Sequence, residues 1–332
     1  MFRDKESTVN LPVTDKPEEE LFQSSRRAFL PLLAVVVAIA ALFALPQVAP
    51  SYVIYVVSLA MVNIIAVTGL NIVMGYAGLV SLGHAGFAAF GAYGTALLMA
   101  HLGLSYGASA IIASLAAMVV GFVVGLPALR VGAVYLAMTT FGFGEAIHVI
   151  LLNWLDLTRG ANGLRLPAPA ILGYEFNSTT FYYVIAVALL LLTLLARRII
   201  LSPMGRAFVA LRESELAAQA VGIQPSIFKT LAFAVSAFYG GLSGALFAGL
   251  ARFINPDSFT FGDSLFYLNM NVVGGMGTIL GPIVGGATMT FLPEFVRSLG
   301  QYRGVFSGFI LLFFLIFMPN GIVGVLKNRF KR

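Results

Sequence analysis

Long runs of uncharged, mostly apolar residues recur along the whole chain and constrain its fold more than any other feature. Of the 332 residues, 59% are hydrophobic and only 10% are charged, whereas a soluble domain carries about 25% charged residues. A helix that crosses the roughly 30 Å hydrocarbon core of a bilayer needs about 20 such residues. The sequence therefore predicts an all-α integral membrane protein and argues against a soluble enzyme.

The number of membrane helices is expected to be about 10, within a range of 8–10. The predicted spans are residues 28–45, 51–73, 84–100, 107–127, 133–153, 181–200, 229–250, 264–280, 281–296 and 303–319. Glycines interrupt two stretches, 75–94 and 264–296, which leaves open whether they form clean crossings or broken, re-entrant helices. Gly75 to Gly78 and Gly274 to Gly277 also resemble each other weakly, which suggests two related halves.

The basic residues predict the orientation, because cytoplasmic loops retain Lys and Arg. With ten crossings, fifteen of the 20 Lys and Arg residues fall inside the cell together with both termini. We therefore expect a cytoplasmic tail over residues 1–27, a transmembrane domain over 28–320 and a basic cytoplasmic tail over 321–332. The same orientation places the hydrophilic segment 154–180 outside and 203–228 inside.

Glu145 is the only acidic residue well inside a predicted span, and it precedes His148 by one helical turn. A carboxyl group in the membrane is costly and often functional. Two interpretations remain open: a protonated or hydrogen-bonded group in the helix packing, or a polar residue that lines a transport pathway. A proton relay is not expected, since the other spans supply almost no titratable groups.

Other polar residues in the spans have the same two interpretations. Asn71, Asn269 and Asn271 favour hydrogen bonds between helices, with substrate contact as the alternative. His84 lies between glycines, which favours a packing role, and Gly274 and Gly275 are expected to allow close approach of helices.

Several kinds of chemistry find little support in the sequence. The chain has no Cys, no His-Glu-x-x-His metal motif and no phosphate-binding Gly-x-x-x-x-Gly-Lys loop. Gly241-Leu-Ser243-Gly matches a short pattern of intramembrane serine proteases, but His84, His101 and His148 all precede Ser243, whereas those proteases place their base later. We predict no catalytic residue, no metal and no cofactor, so any energy from ATP must come from a partner protein.

Four blocks of this sequence resemble the permease subunits of branched-chain amino acid ABC importers. They are Gly69 to Phe87 (GLNIVMGYAGLVSLGHAGF), Gly144 to His148 with Thr158 to Leu164, Gly205 to Gly222 (GRAFVALRESELAAQAVG), and Gly274 to Gly286 (GGMGTILGPIVGG). The chain departs from the family pattern at His148, where Arg is usual, and at Arg159, where Gly is usual.

The resemblance implies a bacterial or archaeal inner-membrane subunit that pairs with a second permease, two ATP-binding subunits and a periplasmic or lipid-anchored solute-binding protein. It also implies that residues 205–222 form a cytoplasmic coupling helix that docks on an ATPase. The coupling residues expected there are Gly205, Arg206, Arg212, Glu213, Glu215 and Gly222. Close relatives import urea or short amides, and an ion-coupled secondary transporter is a further alternative.

Overall fold

The computed structural model describes residues 40–126, 133–171, 174–295, 312 and 321–329. The chain divides into two units, Met1–Val48 and Ala49–Arg332. The first unit is represented by one helical segment, α1 (40–48).

The helices of the second unit are α2 (Ser51–Leu70), the π-helix Asn71–Tyr76, α3 (His84–Leu102), α4 (Tyr106–Gly125), α5 (Ala133–Asn153), α6 (Leu155–Thr158), α7 (Ser178–Leu201), α8 (Pro203–Glu213), α9 (Glu215–Ala220), α10 (Pro225–Ala251), α11 (Phe261–Gly274), α12 (Gly281–Phe295) and α13 (Gly321–Arg329).

Six helices within the described part of the chain are long and apolar enough to cross a membrane. They are Ser51–Tyr76, His84–Leu102, Tyr106–Gly125, Val134–Asn153, Ser178–Leu201 and Pro225–Ala251. Each coincides with one predicted span, which confirms the all-α membrane fold. The predicted spans 28–45 and 303–319 lie largely outside the described residues.

The predicted spans 264–280 and 281–296 correspond to the short helix α11 and to α12, with a break between them. The helix α11 has 14 residues, so at 1.5 Å per residue it is only about 21 Å long, and α12 begins at Gly281 and is described as far as Phe295. Residues 275–280, which join them, are not helical. The structure therefore favours the broken-helix alternative over two full crossings in this stretch.

The other glycine-interrupted stretch also contains a break. The helix α2 ends in a π-helix, and α3 begins only after the non-helical residues 77–83. A Cβ atom on Gly83 would lie 1.9 Å from the Thr140 carbonyl oxygen, so α3 starts beside Thr140, about two turns after the first described residue of α5. Residues 77–83 thus re-enter the bundle, as the broken helices of transporters do.

The helices α2 and α10 form the centre of the bundle, because most of their residues are buried. Glycines bring α3 against α10: a Cβ on Gly91 would lie 1.9 Å from the Gly241 carbonyl oxygen, and one on Gly244 would lie 1.8 Å from that of Ala88. Ser243 donates to the Gly240 carbonyl of its own helix (2.7 Å). The Gly-x-Ser-Gly pattern is therefore a close helix contact here.

A cap of loops and short strands covers the end of the bundle where α5 and α10 finish and α7 begins. We call residues 154–171, 174–177 and 252–260 the loop cap. Its strand β1 (Leu164–Arg165) pairs antiparallel with β4 (Phe253–Ile254), and β2 (Ala170–Ile171) pairs with β3 (Tyr174–Glu175). The predicted hydrophilic segment is thus folded onto the helices.

Candidate functional site

The two glycine-rich breaks meet in one place, which we call the glycine junction (residues 71–78 and 274–281). Asn71, the first residue of the π-helix, is 2% exposed. Its Oδ1 accepts from the Gly277 N–H and its Nδ2 donates to the Thr278 carbonyl, both at 2.8 Å. One amide side chain therefore satisfies two backbone groups of the break between α11 and α12.

Glycines are required at the junction because the backbones nearly touch. A Cβ on Gly75 would lie 2.1 Å from Asn71 Oδ1 and 2.4 Å from the Gly277 nitrogen, and one on Gly274 would lie 2.0 Å from the Gly281 carbonyl. Gly275 has a φ of 114° that an L side chain rarely adopts. The sequence did not identify Gly277 and Thr278 as partners of Asn71, although the likeness between the two glycine segments was a signal for their proximity.

The remaining polar residues near the junction differ in their surroundings. His84 is fully buried, and its Nε2–H donates to the Ala66 carbonyl (2.9 Å) while its ring packs edge-on against Tyr267. Asn271 is also fully buried, yet neither atom of its amide has a partner among the described residues. Asn269 is half-buried. His84 is therefore held in the helix packing by its hydrogen bond and ring contact, whereas the amide of Asn271 makes no hydrogen bond with any described residue.

The hydrophilic segment after α7 forms two helices where the sequence predicted one. The helix α8 is capped by Ser202, whose side chain accepts from the Gly205 N–H (3.4 Å), and α9 is capped by Ser214, which accepts from the Ala217 N–H (3.3 Å). Ser214 divides the helix because it adopts extended backbone angles, as a preferred N-cap residue does. Gly222 follows α9 with a left-handed φ of 84°, and it can end the helix there.

Charged residues of this segment bind within the chain. Arg212 Nη1 donates to the Gly75 carbonyl in the glycine junction (2.6 Å), and its guanidinium also pairs with Glu213 (2.8 Å). Glu215 pairs with Lys229 at the start of α10 (2.7 Å). Arg206 is exposed and, among the described residues, donates to the nearby Leu201 carbonyl (3.4 Å). Of the predicted coupling residues, Arg212 and Glu215 thus connect the segment to the helix bundle.

Apolar side chains of the same segment are open to their surroundings. Leu216 and Val221 are 80% and 76% exposed, and Ile227 in the first turn of α10 is 50% exposed. Such exposed apolar side chains on a segment that also carries charges are typical of a surface that binds another protein or the membrane surface.

A narrow crevice lies beside Glu145, where α5 passes the first turns of α3 and α11. It encloses about 160 Å³ and is lined mainly by aromatic rings and small residues, among them Phe141, Phe259 and Phe261. This space is too narrow to admit a water molecule, so the crevice is closed in this conformation. The first turns of α3 and α11 are linked at its edge, where the Ala85 N–H donates to Ser264 Oγ (3.0 Å).

Glu145 itself is half-buried and has no hydrogen bond or ion pair among the described residues. His148, one turn later, donates from Nδ1 to the Pro256 carbonyl in the loop cap (3.2 Å). The two side chains therefore do not pair, although their spacing would allow it. An unpaired carboxyl group beside a membrane crevice is the arrangement expected of a residue that lines a pathway.

Known proteins resemble this chain over most of its length. Residues 52–318 match the family described as "Branched-chain amino acid transport system / permease component". The high-affinity branched-chain amino acid transport system permease protein LivM of Escherichia coli K12 is 34% identical over 301 residues, which cover 83% of this chain and 71% of LivM. The permease protein LivH of the same strain is 28% identical over 190 residues, 54% of this chain and 61% of LivH. A probable LivM of Methanocaldococcus jannaschii is 28% identical over 181 residues, 53% of this chain and 52% of that protein. No solved structure matches.

Proposed function

This chain belongs to the family of permease components of branched-chain amino acid transport systems, and we propose that it is a membrane subunit of an ATP-driven importer of leucine, isoleucine and valine. The substrate class rests on the name of the E. coli relative LivM, which is 34% identical over most of both chains. The observation that best supports an ATP-driven mechanism is the α8–α9 segment. It combines exposed apolar side chains with a direct contact to the glycine junction.

The α8–α9 segment would bind a partner ATPase through its exposed face. Leu216 and Val221 would enter an apolar groove of the ATPase, and Glu213, whose side chain is 67% exposed, would lie at the rim. Arg206 is exposed on α8 and would contribute a further polar contact. Gly205 would serve indirectly: a Cβ there would lie 2.1 Å from the Ile200 carbonyl, so a larger residue would separate α8 from α7.

The complex would contain further subunits. LivM and LivH are both named as permease proteins of a high-affinity branched-chain amino acid transport system, which supports a heterodimer with a second permease. Two ATP-binding subunits and a solute-binding protein would complete it, and the solute-binding protein would dock on the loop cap. In this arrangement the chain has about ten membrane helices in an inner membrane, with both termini and the α8–α9 segment in the cytoplasm.

The Glu145 crevice would form part of the pathway that opens during transport. Its aromatic lining suits an apolar amino acid side chain, and the unpaired Glu145 gives the substrate's ammonium group a polar contact. Because the crevice is smaller than an ordinary ligand pocket, the substrate would be held there only in transit. The solute-binding protein would then supply most of the affinity and selectivity.

Affinity purification of the tagged chain from its native membrane tests this proposal. We expect an ATPase, a second permease and a solute-binding protein to co-purify, and the solute-binding protein to carry leucine, isoleucine or valine. A Gly222→Leu variant should reduce the amount of ATPase recovered, since Leu at a φ of 84° strains the turn that ends α9.

Gly103→Leu is the matched control, because Gly103 also has a left-handed φ, of 62°, and an added Cβ meets no atom within 4 Å at either glycine. Purification of the wild-type chain without any ATPase would contradict the proposal. Equal recovery of the ATPase with both variants would show that the end of α9 does not belong to the docking surface.

A further inference from the structure

Arg212 connects the α8–α9 segment to both membrane breaks at once. Its Nη1 donates to the Gly75 carbonyl at 2.6 Å. The same nitrogen lies 3.0 Å from where a Cβ on Gly277 would be, so the guanidinium also rests against the break between α11 and α12. A single side chain on α8 therefore touches two segments that are about two hundred residues apart in sequence.

The aliphatic part of Arg212 is held as closely as its charged end. A Cβ on Gly78, which has a φ of 70°, would lie 2.5 Å from Arg212 Cγ and 3.2 Å from Arg212 Cβ. The stem of the side chain thus occupies the space that the missing side chain of Gly78 leaves. Glu213 fixes the guanidinium from the other side, since its Oε1 accepts from both Nε and Nη2.

The contact is electrostatically favourable because helix ends meet there. The π-helix ends at Tyr76 and α11 ends at Gly274, and the last carbonyl groups of any helix lack partners within it and carry partial negative charge. A guanidinium next to a helix C-terminus is stabilised by this charge. A single π-helical turn is also a frequent mark of a functional site.

Asn71 completes the connection inside the bundle. It holds the break between α11 and α12 through Gly277 and Thr278, from the first turn of the same π-helix whose Gly75 carbonyl binds Arg212. A displacement of α8 by a few ångströms would move the Arg212 guanidinium away from Gly75 and from Gly277 at the same time. Glycines on each side would let the two backbones rearrange without side-chain clashes.

We propose that Arg212 is the positioning residue that transmits movement of the α8–α9 segment to the π-helix and to the break between α11 and α12. The inference rests on the proposed function, because it requires that an ATPase moves this segment. Arg212 would hold the closed conformation seen here, and its withdrawal would be the step that lets the glycine junction open. It would therefore set how much substrate is moved for each ATP hydrolysed, while ATP hydrolysis itself would depend on the partner.

The test is the ratio of amino acid transported to ATP hydrolysed, measured on the purified complex of this chain with its ATPase, second permease and solute-binding protein in proteoliposomes. We expect Arg212→Gln to lower this ratio at least tenfold while ATP hydrolysis stays within about threefold of wild type. Arg212→Lys should recover part of the ratio, because an ammonium can reach the Gly75 carbonyl but cannot form the fork to Glu213. Arg197→Gln on α7 removes the same charge from an exposed position outside the junction and should leave the ratio unchanged.

The outcomes separate the inference from the proposed function. A wild-type complex that does not transport in response to ATP would contradict the proposed function. A wild-type complex that transports, together with an Arg212→Gln complex of unchanged ratio, would overturn the role of Arg212 alone. If the Arg212→Gln complex does not assemble, the Arg212→Lys complex is the test. A ratio of amino acid transported to ATP hydrolysed that is at least threefold below wild type supports the inference, and a wild-type ratio overturns it.

Discussion

Asn71 and Gly277 are 206 residues apart in sequence and are joined by a hydrogen bond of 2.8 Å from the Gly277 N–H to Asn71 Oδ1. The other end of the same amide donates to the Thr278 carbonyl. Both backbone groups belong to the non-helical break, where no helix supplies them with a hydrogen-bond partner. The contact therefore fixes the position of the break relative to α2.

Replacement of Asn71 by Ala should destabilise the protein because it leaves two backbone groups of the junction without their partner. We expect a loss of about 2–4 kcal/mol, visible as a lower thermal unfolding midpoint in detergent. Asn63→Ala is the control, since within the described residues the Asn63 side chain makes one hydrogen bond, to Thr290 Oγ1 (3.0 Å), and its loss should cost less. Equal midpoints for the two variants would show that the junction does not depend on Asn71.

Replacement of Gly244 by Ala should separate α3 from α10. The added Cβ would lie 1.8 Å from the Ala88 carbonyl oxygen, and neither backbone can yield easily in a packed bundle. We expect a loss of roughly 1–3 kcal/mol or more and poor recovery of folded protein by size-exclusion chromatography. Gly142→Ala on α5 meets no atom within 4 Å and should be recovered like the wild type. Normal recovery of the Gly244 variant would contradict the described packing.

The sequence was most informative where a pattern is local. Runs of about 20 apolar residues placed the six long helices correctly, because length and hydropathy are local features that identify a candidate crossing. The glycine-rich segments indicated the two breaks in the helices, but the pairing of Asn71 with Gly277 depends on tertiary packing between distant segments. Similarly, the sequence placed Arg212 on a surface helix and could not show that the π-helix carbonyl of Gly75 lies within its reach.

Replacement of Glu145 by Gln should leave transport within about twofold of wild type. The amide preserves the size of the side chain and a hydrogen-bond acceptor, and no relay of titratable groups is evident along the described part of α5. Uptake of labelled leucine into cells that express each variant at equal levels is the measurement. Abolished uptake with normal assembly would show that an ionised carboxylate is required.

The proposed orientation places the loop cap outside the cell and the α8–α9 segment inside. The chain contains no Cys, so single cysteines at Asn162 and Gln219, both exposed, give a clean test. An impermeant thiol reagent should label Asn162→Cys in intact cells with an opened outer membrane, and Gln219→Cys only after lysis. The reverse labelling pattern would overturn the orientation.

ATP-dependent uptake of leucine by the reconstituted complex tests the central claim most directly. The complex of this chain with its ATPase, second permease and solute-binding protein would be placed in proteoliposomes with ATP on the side of the α8–α9 segment. The account predicts that labelled leucine accumulates against its gradient, that unlabelled isoleucine and valine compete with it, and that accumulation stops when ATP is replaced by a non-hydrolysable analogue. Accumulation driven by an ion gradient in the absence of ATP, or transport of urea in place of leucine, would contradict it.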